Sequence, residues 1–361
     1  MLEIELLQIA LGGRQELSHT PSAEEWDRIY GFANEQAITG IMFRGVELLP
    51  KHQRPAISLL MNWFAHTETI KRQNTLANAD CRKITEIFRK EGFRTSIMKG
   101  QGNAIFYRTN AKEASKEGPS QDLSMLRTSG DIDIWVDGGL EKVNDFVQKL
   151  SPTKEINELE IQLRGVCRTP VEVHYRPFIM RNPWTNRRLQ KFFSEEADNC
   201  FLNNSGFTTL RFNLIHQLAH IRLHLFTEGI GMKQLVDYYF LLLHSTEDKA
   251  DVMQTVDNLG MRNFARAMMW VMHEVMLLPR EYLLCEEDPE GGRLLINDIL
   301  KHGNFGRSNT EQRELKSSRI YGLWALLVRN LKYWRFDRWD WICGPLWRIY
   351  HRIWRKRKGY K

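Results

Sequence analysis

No two of the five cysteines lie close together; they stand at positions 81, 167, 200, 285 and 343. A disulfide framework, a zinc knuckle and a redox pair all need tighter spacing. Free thiols in a reducing compartment are therefore expected. Long hydrophobic runs are missing too: no stretch reaches the roughly 18 uninterrupted apolar residues of a membrane span. The opening residues, MLEIELLQIALGGRQEL, carry acids where a signal peptide carries bases, and they read as a first amphipathic helix. There is no internal repeat and no low-complexity tract. Acids are absent from the last fourteen positions, which hold Arg348, Arg352, Arg355, Lys356, Arg357, Lys358 and Lys361. The formal net charge is +7, so subtracting those seven bases leaves the remainder formally neutral. A neutral body argues against a long duplex nucleic acid as substrate, because phosphate neutralisation takes many bases.

What is present is a globular composition. Of 361 residues, 42% are hydrophobic and 26% charged. That length suits roughly two domain-sized units. Residues 1–93 read as helical, with apolar residues three and four apart in EEWDRIYGFANEQ and from Leu59 to Arg89. Gly92 suits a left-handed cap after the second run. The texture changes over 94–180. TSIMKG, DIDIWVD, ELEIQLRGV and PVEVHYRPF read as strands, and GNAIFY and LEKVNDFVQKL as helices. The polar stretch 109–126 reads as a mobile surface insertion. Residues 181–318 return to helical patterning in FNLIHQLAHIRLHLF, MKQLVDYYFLLLH and FARAMMWVMHEVMLL, and 319–361 form a Trp/Arg-rich tail. The expected fold class is α+β: a small mixed β-sheet core flanked by N- and C-terminal helical regions.

The chemistry centres on Gly130-Asp131-Ile132-Asp133-Ile134. Alternation along a strand points Asp131 and Asp133 to one face and the isoleucines to the other. Two carboxylates so placed repel each other unless a cation joins them. In Val171-Glu172-Val173-His174, Glu172 and His174 share a face. If the two strands are neighbours, three carboxylates meet. That set fits a two-metal site for in-line phosphoryl transfer, with oxygen ligands suited to magnesium or manganese. A DxD pair alone is more often a solvated strand face, so the weight falls on its context.

That context resembles a family. A strand ending in Ile97-Met98-Lys99-Gly100 is followed by Arg127-Thr128-Ser129-Gly130-Asp131-Ile132-Asp133 and then by Val171-Glu172-Val173-His174. The order is similar to the uncharacterised nucleotidyltransferase family within the DNA polymerase β-like superfamily. Glu228-Gly-Ile-Gly-Met-Lys-Gln-Leu-Val-Asp237 and Gly303-Asn304-Phe305-Gly306 look like its signatures in the helical C-terminal part. The resemblance implies transfer of a nucleoside monophosphate from a nucleoside triphosphate, ATP among the candidates, to a small-molecule, peptide or protein acceptor. It also implies a small mixed-sheet nucleotidyltransferase core, with Asp131, Asp133 and Glu172 as catalytic metal ligands. One departure stands out. The superfamily usually has Gly-Ser or Gly-Gly at the first turn, and this chain has Lys99-Gly100-Gln101-Gly102. Lys99 offers a point charge to phosphate, and Gly100 and Gly102 allow close backbone approach. Arg127, Ser129, His174, His220 and Lys233 are further candidates to line the nucleotide or acceptor pocket.

Two features admit other readings. His216, His220 and His224 lie four apart on one helical face. Packed or hydrogen-bonded histidines are favoured over metal ligands there, since the glutamate of a metalloprotease is missing. The tail interleaves tryptophan with arginine. It is expected to dock through about Trp341 and to leave a free basic end that touches an anionic membrane surface weakly. The expected location is cytoplasmic, peripheral to the inner face of the membrane through that end. Two competing classes follow: a non-catalytic nucleotide-binding or scaffold protein that kept the fold, and a peripheral membrane adaptor led by the tail.

Overall fold

The computed structural model describes residues 1–108, 122–203, 205–227, 229–302, 333–336 and 338–360. Four helices come first: α1 (Leu2–Ala10), α2 (Ala23–Glu35), α3 (Thr39–Leu48) and the long α4 (Ile57–Lys90). Ser22 caps α2 in a reciprocal box, its hydroxyl accepting from the Glu25 amide while Glu25 accepts from the Ser22 amide. Beyond α4 the chain reverses at Gly92, whose φ of +79° is a left-handed conformation that favours glycine.

The sheet follows. Strand β1 (Thr95–Met98) runs straight into the short α5 (Lys99–Ala104), then come β2 (Ile132–Val136), α6 (Gly139–Leu150), β3 (Glu160–Leu163) and β4 (Val171–His174). The spatial order is β1-β2-β4-β3, with β2 and β4 parallel and the outer pairs antiparallel. Among the described residues the further α-helices are α7 (Pro183–Leu202), α8 (Leu210–Thr227), α9 (Met232–Leu243), α10 (Lys249–Asn258), α11 (Arg262–Trp270), α12 (Pro289–His302) and α13 (Arg338–Lys358). This is the α+β class, a small mixed sheet within a largely helical chain.

Two hydrophobic cores hold it together. One joins N-terminal residues such as Leu6, Trp26 and Ile41 to Phe212, Leu235 and Met268 of the C-terminal helices. The other lies under the sheet, where Ile132, Ile134, Val171 and Val173 meet Ile84 and Phe88 of α4 and Phe146 of α6. Helix α4 serves both, because its buried residues recur at three- and four-residue steps along its length. Each fully buried aliphatic side chain contributes about 1.5–3 kcal/mol. The opposite face of β2 carries Asp133 and Trp135. Trp135 stacks on Phe212 of α8 at 5.4 Å between ring centroids, which fixes the charged face of the sheet against the C-terminal helices.

Several expectations need correction. The strands are shorter than their alternating runs, and β3 ends at Leu163 before a turn with Gly165 at φ +75°. Of the stretch expected to be a mobile insertion, 109–121 lie outside the described residues, but 122–126 are tied down. The Asn74 side-chain amide donates to the carbonyls of Met125 (3.0 Å) and Arg127 (2.7 Å). A Cβ on Gly40 would meet the Leu126 carbonyl oxygen at 2.4 Å, so α3 presses directly on this segment. Glu228 and the Gly303–Gly306 motif also lie outside the described residues. The tail docks well past position 341, with Cys343 buried and Trp347 and Trp354 half-buried. Among the described residues no helix is long and apolar enough to cross a membrane.

Candidate active site

The parallel pairing of β2 with β4 sets Asp133 directly opposite Glu172 and Trp135 opposite His174. Side chains alternate, so Asp133, Glu172 and His174 rise from one face. The antiparallel partner β3 adds Glu160 opposite His174 and Gln162 opposite Glu172. A cavity of about 480 Å³ opens above them, roofed by α8 and α9. Asp131, Gly100, Arg127, Phe178, His220 and Lys233 also line it.

Charges here are closely interlocked. The Lys99 ammonium donates to Asp133 Oδ1 at 2.7 Å, and His174 Nε2 lies 2.8 Å from the same oxygen. His174 Nε2 is also 3.3 Å from Glu160 and 3.7 Å from Glu172, while the Gln162 amide donates to Glu172 at 2.7 Å. Burial opposes the charge on Asp133, but Lys99 and His174 outweigh it and hold the carboxyl well below the usual range. Burial and Lys99 oppose protonation of His174, yet its hydrogen bonds to the carboxylates raise it to about 9, so the ring is a cation at neutral pH. Lys99 is likewise held above its ordinary value, against burial, by Asp133 and Glu160. Burial and the nearby Asp133 and Glu172 push Asp131, at the cavity rim, up to about 6. Glu160 is raised, by burial first. For Glu172 burial is again the largest influence, but the His174 hydrogen bond and Lys99 hold it below its ordinary value.

The backbone under Lys99 is strained. Its φ is +44°, a left-handed conformation rare for a non-glycine residue. Such a conformation persists where the surroundings over-determine it, and here the Lys99–Asp133 ion pair pins the side chain.

Across the cavity, Arg127 grips Asp237 of α9 through two parallel bonds of 2.7 and 2.8 Å. The Tyr107 hydroxyl donates to the same carboxylate. This buried pair ties the segment before β2 to α9. Lys233, one turn before Asp237, makes no ion pair among the described residues; Asp237 is taken by Arg127 instead. Burial and the neighbouring Arg127 push its ammonium down to about 7, only partly offset by Asp237 and Asp131. A Cβ on Gly130 would lie 3.8 Å from the Lys233 nitrogen, which shows how closely that ammonium approaches the acidic loop.

The remaining predicted residues divide. Gly100 lines the cavity. Gly102 does not: a Cβ there would meet the Ile97 carbonyl oxygen at 2.7 Å, so this glycine lets α5 sit against β1. Ser129 also lies off the cavity, its hydroxyl 3.5 Å from the Gly130 carbonyl. The histidine ladder is largely packed. Burial pushes His216 down to about 3, its Nε2 lies 3.4 Å from the Pro177 carbonyl, and its ring stacks on Phe212. His220 and His224 reach the cavity. His220 is held neutral by burial, and its buried Nδ1 has no hydrogen-bond partner among the described residues. Sequence reasoning missed Glu160 and Gln162. Their alternation in ELEIQL was visible, but not that β3 lies beside β4.

A small mixed sheet thus gathers carboxylates from adjacent strands beneath a cavity that cations also line. The chain belongs to the uncharacterised nucleotidyltransferase family, whose model matches residues 22–115 and 119–276. No curated protein and no solved structure matches the chain. The ligand atoms of Asp133, Glu172 and His174 lie within 4.8 Å of one another, close enough to share one metal ion.

Proposed function

We propose that the protein is a magnesium-dependent nucleotidyltransferase. It moves a nucleoside monophosphate from a nucleoside triphosphate to a small-molecule, peptide or protein acceptor and releases pyrophosphate. The observation that carries this reading is the in-register pairing of Asp133 with Glu172 across parallel strands, with Asp131 at the mouth of the same cavity.

The donor set fits a hard divalent cation, since carboxylate oxygens dominate it and His174 and Glu160 adjoin. Asp131, Asp133 and Glu172 would hold magnesium or manganese, which supplies a Lewis acid for the phosphates and lowers the pKa of the attacking group. The chain's own residues do the rest. His174 and Gln162 fix the orientations of Asp133 and Glu172. Lys233, which has no carboxylate partner among the described residues, offers its charge to the triphosphate. The Arg127–Asp237 pair holds α9, and with it Lys233, over the strands. Phe178 and Leu223 give the cavity apolar walls that restrict water.

Pyrophosphate release from each nucleoside triphosphate with magnesium tests the proposal, with Asp131→Asn plus Asp133→Asn as the control. Equal release by wild type and control would sink it. One observation favours a second reading, a nucleotide-binding protein without catalysis: the Lys99 ammonium already sits on Asp133, where a cation would stand. That reading predicts calorimetric binding of nucleotide with no pyrophosphate released under any acceptor mixture.

A further inference from the structure

Helix α13 presents two faces of different character. Cys343, Trp347 and Trp354 turn inward and, with Tyr175, Ile179 and Met180, line a cavity of about 520 Å³ beneath the helix. Ile349 and Ile353 turn outward, and Leu346 and Tyr350 stand at the mouth of that cavity; the four are 57%, 47%, 63% and 60% exposed. At helical spacing these four fall within one arc of about 100°. Exposed apolar residues scattered singly need no explanation, but four on one stripe do. The same helix carries Arg348, Arg352, Arg355, Lys356, Arg357 and Lys358, and no acid follows Asp340.

An apolar stripe on a helix whose own charges past Asp340 are all positive matches one surface. We infer that α13 docks the protein on an anionic membrane, its aliphatic stripe entering the headgroup boundary and its bases meeting lipid phosphates. The geometry disfavours the other occupants. Single-stranded nucleic acid stacks on outward-facing aromatic rings, whereas in the basic half of the helix Trp347 stacks on His351 at 5.0 Å and Trp354 faces the cavity, and the exposed Trp339 lies at the other end. The exposed stripe is aliphatic except for Tyr350. A second copy would bring six cations against six without an acid between them. This inference stands apart from the nucleotidyl-transfer reading, so either can fail alone.

Sedimentation of the full chain with vesicles tests it. The protein should pellet with phosphatidylcholine vesicles containing phosphatidylglycerol, stay in solution with phosphatidylcholine alone, and be released by added salt. Arg352→Gln with Arg355→Gln and Lys356→Gln should weaken binding roughly 100-fold, at about fivefold for each base near the surface. Ile349→Asp with Ile353→Asp should abolish it. All five positions apart from Arg355 are fully exposed in character, and circular dichroism checks that each variant stays folded. Equal pelleting with both vesicle types, or unchanged binding by either variant, overturns the inference. So does tighter binding to a single-stranded oligonucleotide at the same salt, or a dimer that the Ile349→Asp/Ile353→Asp variant dissociates.

Discussion

Lys99→Met separates the ammonium from the cation it resembles. The Lys99 ammonium is 2.7 Å from Asp133, and both side chains are largely buried. Methionine keeps the length and the apolar stem but removes the charge. Asp133 is then left among Asp131, Glu160 and Glu172 with only His174 to balance them. Removing one partner of a buried pair costs about 3–5 kcal/mol, so the variant should unfold at a lower urea concentration in EDTA. Magnesium should restore much of the loss, because it supplies the missing positive charge at the same carboxylate. A ligand that binds only the native state, present at about 100 times its Kd, stabilises by about 2.7 kcal/mol. Wild type should gain less, since the ion and the ammonium compete for one oxygen. Urea unfolding of both proteins, with EDTA and across a magnesium titration, reads the difference directly. Equal stabilisation of wild type and Lys99→Met by magnesium would refute the idea that ammonium and metal share Asp133.

Three further predictions rest on neighbouring residues. Asp237→Asn should destabilise by about 3–5 kcal/mol, because the buried Arg127 guanidinium loses its bidentate partner. The double variant Arg127→Met/Asp237→Leu should cost much less than the two single changes summed, and additive losses in a urea double-mutant cycle would count against the pair. Lys233→Met should raise the KM for the triphosphate about tenfold, on the order of 1.4 kcal/mol. It should leave the urea midpoint level or higher, as no described carboxylate pairs with that ammonium; an unchanged KM would remove Lys233 from the triphosphate grip. The pH dependence of metal-free stability follows from His174. Its folded value is raised from 6.5 to about 9. The stability it contributes is therefore complete below about pH 6.5, is lost as pH rises through about 9, and His174→Gln should flatten that limb of the profile.

How far the sequence carried this depends on the element. The β2 strand was legible because Ile132 and Ile134 alternate with acids, and the same two isoleucines are buried beneath the sheet. Alternation likewise put Glu172 and His174 on one face. Strand adjacency was not legible from pattern alone: the order β1-β2-β4-β3 is a tertiary fact, and only the family resemblance linked Glu172 to Asp133. Glu160 escaped notice for that reason, since its role comes from pairing across β3 and β4. The sequence marks Lys99 as a point charge for phosphate. A sequence does not reveal that a left-handed residue at the end of β1 turns its ammonium back onto Asp133. Gly102 was given a role at the ligand that the close approach of α5 to β1 explains instead.

The ion balance of the cavity bears on what it can accept. Asp131, Asp133, Glu160 and Glu172 supply four carboxylates, and Lys99 and His174 supply two cations. Four less two leaves two negative charges when all are ionised, which one divalent ion neutralises. Arg127 and Asp237 cancel each other and add nothing. A triphosphate arriving without a metal would meet that negative surplus with, among the described cations of the cavity, Lys233 in its favour, and that ammonium is pushed down to about 7. Arriving with magnesium, it brings the charge the carboxylates lack, and its own phosphates in turn favour the protonated form of Lys233. Nucleotide and metal should therefore bind with positive coupling, each tightening the other by the same factor. Calorimetric titration of a nonhydrolysable triphosphate with and without magnesium measures that factor, and a value near one would mean that the acids beneath the cavity and the lysine above it serve different ligands.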